Sequence, residues 1–153
     1  MIKSFCALLV FILFSALNLC IGQGQRPVTW HFNVAPIRGP ETIVSITANL
    51  APGWHLYSQL LKEGGPIPTR FKFERSDDYL LIGSTEEKGK QVKFYDNIYE
   101  MDIIWYANEV SFYQRISLNE PETIIKGKVA YMACNNEVCI PCDQEFAINV
   151  KSY

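Results

Sequence analysis

The sequence predicts an all-β fold, an immunoglobulin-like antiparallel β-sandwich of about eight or nine strands. Three observations lead there. From residue 28 onward apolar and polar residues alternate in short runs, the period of a half-buried strand. Turn residues separate these runs at regular intervals. No stretch of helical length sustains an apolar period of 3.6 residues.

The elements follow in order. Val28, Trp30, Phe32 and Val34 alternate with Thr29, His31 and Asn33 and predict a first strand. Val44, Ile46, Ala48 and Leu50 alternate with Ser45, Thr47 and Asn49 in a second, which Ala51-Pro52-Gly53 ends as a turn. Trp54 to Leu61 is a third, aromatic-rich segment, closed by Gly64-Gly65-Pro66. Phe71 and Phe73 against Lys72 and Glu74 predict a fourth, and Tyr79 to Ile82 a short fifth. The charged stretch from Glu86 to Lys90 reads as a solvated hairpin tip. Met101 to Ala107 and Val110 to Leu118 predict a hairpin about Asn108-Glu109. Thr123 to Ala133 and Glu145 to Lys151 flank a loop of cysteines. No internal repeat, low-complexity tract or linker divides the chain.

That loop holds Cys134, Cys139 and Cys142, three of the chain's five cysteines. Their chemistry depends on compartment, and the N-terminus speaks to it. Lys3 precedes an apolar run from Phe5 to Leu19, and small residues near Gly22 follow. This is the plan of a secretory signal peptide, residues 1–22, leaving a domain of residues 23–153. The run is short for a membrane span, which takes about 20 residues. Bulky Leu19 before Cys20 argues against a lipid anchor. Cleavage removes Cys6, Cys20 and Lys3, and takes the net charge from −2 to −3. Mild acidity argues against nucleic acid, DNA included, as a partner, because that role wants a concentrated basic face.

Export places the remaining cysteines where disulfides persist, so a bridge among the three is expected, with one thiol left over. A bridge between Cys134 and Cys139 closes a loop of about six residues and stabilises by ~2 kcal/mol, against nearly 5 for a hundred-residue loop. That is poor reinforcement, and a short loop-borne disulfide suits exchange. A purely structural local bridge is the other reading. Two cysteines five apart cannot pin opposing sheets roughly 10 Å distant.

The run Tyr131 to Cys134, then Cys139-Ile140-Pro141, then Glu145-Phe146-Ala147-Ile148 resembles the N-terminal periplasmic domain of the thiol:disulfide interchange protein DsbD. Gly53-Trp54-His55-Leu56-Tyr57 and Phe94-Tyr95-Asp96-Asn97-Ile98-Tyr99 agree with it. The resemblance implies an immunoglobulin-like sandwich in the periplasm whose cysteine pair shuttles reducing equivalents, a component of protein-disulfide reduction. It implies that Cys134 and Cys139 are the redox pair and that Cys139 forms mixed disulfides with partners. Phe94 and Tyr95 match a cap loop whose aromatic ring covers the disulfide, and Tyr57 matches a tyrosine beside it. The partners implied are thioredoxin-like redox proteins of disulfide isomerase or reductase type, with a monomeric chain and no cofactor.

Two departures stand out. Cys142 replaces a proline of the family pattern and creates Cys139-Ile140-Pro141-Cys142. A Cys-x-x-Cys of thioredoxin type needs a helix N-terminus that a strand pattern does not supply. Cys142 is therefore either a resolving thiol, moving the bridge to Cys139–Cys142, or a spare one. The spacing also matches part of an iron–sulfur signature, but a fourth mature cysteine is missing, so no metal is expected. The second departure is that DsbD continues into a membrane conductor and a thioredoxin-like domain, whereas this chain stops at Tyr153. The expectation is a free-standing domain with a membrane electron donor in trans. His31 is expected in solvent and His55 near the site, neither with a local partner for acid–base work. The alternative from another class is a binding module with a static disulfide.

Overall fold

The computed structural model describes residues 27–37 and 39–152. The expected signal peptide, with Cys6 and Cys20, lies outside the described residues. The described residues form eight strands: β1 (Val28–Pro36), β2 (Glu41–Leu50), β3 (His55–Tyr57), β4 (Arg70–Phe73), β5 (Tyr79–Asp96), β6 (Met101–Leu118), β7 (Glu122–Cys134) and β8 (Cys139–Lys151).

All the pairings are antiparallel. The hydrogen-bonded order is β1-β2-β6-β3-β7-β4, with β5 against β6 and β8 against β7. The two ends of this path pack on each other, which makes the sheet a sandwich. Trp30 of β1 meets Phe71 of β4 at 6.4 Å and Tyr131 of β7 at 5.2 Å, and Phe32 of β1 meets Phe146 of β8 at 5.6 Å. Between the layers lie Val44, Ile46, Phe112, Ile116, Ile125 and Val129, all fully buried. The short β3 joins the layers, because its one edge pairs with β6 and its other with β7.

The alternation of β1, β2, β4 and β7 appears as read, and four expectations are corrected. The hairpin about Asn108-Glu109 does not exist, since β6 runs unbroken from Met101 to Leu118. Asn108 instead takes a left-handed φ of 64° where the register of β5 against β6 shifts, between Gly89 and Gln91. Asparagine adopts this conformation at low cost, and such a bulge bends a strand without ending it. Glu86 to Lys90 is no hairpin tip but the middle of β5. The inward positions there are Thr85 and Glu87, which bond to Gln114 and Tyr106, so the strand carries no apolar signal. The true tip spans residues 97–100, where Asp96 Oδ1 accepts from the amides of Ile98 and Tyr99 at 2.7 and 3.0 Å. Only His55–Tyr57 of the third segment is strand, and β8 begins at Cys139 rather than Glu145. Pro141 sits within β8 without cost to the ladder, because β8 pairs on one side only and proline is tolerated on an edge.

Gly127 of β7 lies opposite both Phe73 of β4 and Phe146 of β8. A Cβ there would come within 2.5 Å of the Phe146 ring and 2.6 Å of the Lys72 carbonyl oxygen. Gly127→Ala should therefore cost about 1 to 3 kcal/mol of stability. Urea unfolding measures it, and a midpoint equal to that of the parent would contradict this packing.

Candidate functional site

Residues directly opposite one another in an antiparallel sheet point to the same face. Ala107, His55, Cys134 and Cys139 are opposite one another in turn across β6, β3, β7 and β8, and form one lateral line. Trp105 and Tyr57, two residues along their strands, form the next line on that face. The other face of the same strands presents Leu56, Tyr106 and Ala133 to the core. The site is thus built on the outer face of the strands that join the layers.

Cys134 and Cys139 are disulfide-bonded, with Cα atoms 4.1 Å apart. They are the last residue of β7 and the first of β8, so the bridge closes the base of a tight turn. Asn135 shapes that turn: its amide donates to the Val138 carbonyl at 2.9 Å, and its Oδ1 accepts from the amides of Glu137 and Val138, both at 2.8 Å. The two cysteines differ in exposure. Cys134 is 1% exposed, whereas Cys139 lies open to solvent.

Beside the bridge, the His55 ring lies 4.5 Å from the Trp105 ring and 5.3 Å from that of Tyr57. Its Nε2 is 3.4 Å from the Tyr57 hydroxyl. Burial lowers the His55 pKa, because the charged imidazolium loses solvation. Burial raises that of Tyr57, and so do Tyr99 and Asp96 of the β5–β6 tip, which brings the charge of that tip to bear on this face.

The three-residue β3 needs an anchor, and Glu87 of β5 supplies it. Its carboxylate accepts from the hydroxyl of Ser58, from the Gln59 amide at 3.0 Å and from the Tyr106 hydroxyl at 2.9 Å. Burial, with Glu87 adding to it, pushes the Tyr106 phenol up to about 12, so this donor stays protonated. The Ser58 amide donates to the Ile104 carbonyl at 3.0 Å, and the Thr69 hydroxyl to the Tyr57 carbonyl at 2.6 Å.

The fold brings Cys134, Cys139 and Tyr57 to one face. Phe94, opposite Ile103, shares the face of Trp105 and is 42% exposed, whereas Tyr95, opposite Asp102, points to the other. Cys142 is placed elsewhere. It lies opposite Tyr131 and packs against the core, so it faces away from the disulfide. Three residues of strand also separate its Cα from that of Cys139 by roughly 10 Å, beyond the ~7 Å reach of a disulfide. A Cys139–Cys142 bridge would require β8 to unravel, which removes the geometric basis for Cys142 as resolving thiol. His55, expected near the site, is there, and Trp105 and Glu87, which carry no local signal, join it. The alternation Trp54-His55-Leu56-Tyr57 was the available signal, since it sets His55 and Tyr57 on one face.

A family model described as the N-terminal part of thiol:disulfide interchange protein DsbD matches residues 25–151. The chain belongs to the DsbD N-terminal domain family. Comparison with solved structures gives the same fold. The N-terminal periplasmic domain of ScsB from Proteus mirabilis aligns with TM-score 0.58 at 17% identity, covering 84% of this chain and 48% of that one. This chain therefore spans about half the length of that relative. The reduced DsbD N-terminal domain of Neisseria meningitidis aligns with TM-score 0.54 at 19% identity, covering 80% of this chain and 86% of that one. A DsbD N-terminal domain in complex with the PilB N-terminal domain, also from Neisseria meningitidis, gives 0.56 at 17%, covering 88% and 92%. A comparison with curated proteins gives no match. Within the DsbD family fold, this chain carries a disulfide at the β7–β8 turn, between Cys134 and Cys139.

Removing the Glu87 carboxylate leaves the hydroxyls of Ser58 and Tyr106, on residues that are fully buried, without their acceptor. Glu87→Ala should cost about 2 to 4 kcal/mol by urea unfolding, and Glu87→Gln, which keeps one acceptor, less. Equal midpoints for Glu87→Ala and the parent would show that the network does not hold β3.

Proposed function

We propose that this chain is an exported, periplasmic thiol–disulfide exchange protein that passes reducing equivalents between thioredoxin-like proteins through Cys134 and Cys139. The observation that carries the reading is the unequal exposure of the two cysteines of one short-range bridge, Cys134 buried and Cys139 exposed. Exchange needs a thiolate to approach one sulfur in line while the other leaves, so access selects which sulfur is attacked. Family membership supports the same chemistry, and the PilB complex of a structural neighbour supports a protein partner.

In the reduced protein the Cys139 thiolate attacks a partner's disulfide and expels one partner thiolate, leaving a mixed disulfide. Cys134 then attacks the Cys139 sulfur and expels the second partner thiolate. The chain ends oxidised at Cys134–Cys139, and the partner has gained two electrons. Phe94 acts as a lid on this face, which limits access by small oxidants until a partner docks. Its partial exposure on the face of Trp105 supports that role.

Cys134→Ala should arrest the reaction at the mixed disulfide, so that thioredoxin-like proteins are recovered covalently attached to Cys139 and identified by mass spectrometry. Cys139→Ala should capture none. A Cys134→Ala protein that stays unlinked in the exported compartment would defeat the exchange reading. For the lid, reduced Phe94→Ala should be oxidised by hydrogen peroxide several-fold faster than the parent, and equal rates would remove that role.

A further inference from the structure

Closing the Cys134–Cys139 bridge, in the exchange reaction on which this inference rests, requires Cys134 to lose its proton. Water is poorly placed to take it, because Cys134 is 1% exposed, and an apolar setting holds a thiol in its protonated, unreactive form. The residues directly opposite Cys134 are Cys139 on β8 and His55 on β3. Cys139 is engaged in the mixed disulfide at this step and cannot act as the base. We infer that His55 is the proton acceptor for Cys134.

The imidazole takes the thiol proton as the Cys134 sulfur bonds to that of Cys139, and the partner thiolate leaves with the electron pair of the broken mixed disulfide. Atoms and charge balance: one thiol, one mixed disulfide and a neutral imidazole become one disulfide, one thiolate and an imidazolium. In the reverse direction, when a donor thiolate opens the bridge at Cys139, the imidazolium returns the proton to the departing Cys134.

The surroundings of His55 suit this part. Tyr57, on the same strand, engages Nε2 at 3.4 Å, while Nδ1 has no hydrogen-bond partner among the described residues. Trp105 and Ala107, its neighbours on β6, carry no charge. Asp96 and Tyr99 of the β5–β6 tip bear on Tyr57. Its register partner on β7 is Cys134, whose own partner on β8 is Cys139. Burial lowers the imidazole's pKa below its ordinary 6.5, so the neutral form that can accept a proton prevails at neutral pH.

The test follows the two steps separately. Reduced protein carrying Cys142→Ser is mixed with oxidised glutathione and quenched in acid. Mass spectrometry then counts Cys139–glutathione and Cys134–Cys139 species against time, from about pH 5 to about pH 8. In this parent, resolution of the glutathione adduct should slow as pH falls through the lowered imidazole pKa. His55→Phe, which keeps a ring on Trp105, should slow resolution about a hundredfold at neutral pH and lose that acid limb, with formation of the adduct unchanged. His55→Gln should do the same and guards against a packing defect in the first variant. Resolution at the parental rate with the same acid limb in either variant would overturn the inference, as would equal slowing of both steps. Failure of the parent to form any adduct at Cys139 would instead defeat the exchange reading itself.

Discussion

The register of β7 against its two neighbours is the constraint on which the site depends. Along β7 the residues at 123, 125, 127, 129, 131 and 133 are buried and those between them are largely exposed until Cys134. Because the side-chain period of a strand is two, a slip of one residue would turn Ile125, Val129 and Tyr131 to solvent. The core thus holds the register, and the register sets Cys134 opposite both Cys139 and His55. Stability and chemistry are coupled through this strand, although the core and the disulfide lie on opposite faces of it.

The two faces also divide the sulfur chemistry. Cys134 and Cys139 end on the outer face, where a turn leaves one of them open. Cys142, of opposite parity to Cys139 on the same strand, is taken up by the core face next to Tyr131. A local sequence that offers two short-range pairings is thereby reduced to one. The reason is the pleat, since cysteines three apart on an extended strand point in opposite directions. β3 contributes differently, as three residues that make few ladder bonds of their own and rely on Glu87 and Thr69 to stay in place.

β2 alternates without fault and is legible in the sequence, because one of its faces is buried and the other is half exposed. β5 loses its apolar signal beyond Ile82, because Thr85 and Glu87 face inward as hydrogen-bonded polar groups and mimic a solvated segment. The continuity of β6 through Asn108 is hidden in the sequence, because asparagine in a left-handed conformation looks the same there whether it turns a hairpin or forms a bulge. Local pattern reports burial, whereas strand continuity depends on the partners, which the pattern does not contain.

By itself the sequence determined the fold class, the family and the cysteine cluster. Each of these is carried by local alternation, by turn residues or by a motif within a few positions. Only the tertiary structure decided which cysteines pair, which of the two is exposed, that Cys142 belongs to the core, and that His55 stands opposite Cys134. These are facts of register between strands distant in sequence. Register is set by the summed burial of whole strands, and no single stretch of residues encodes it.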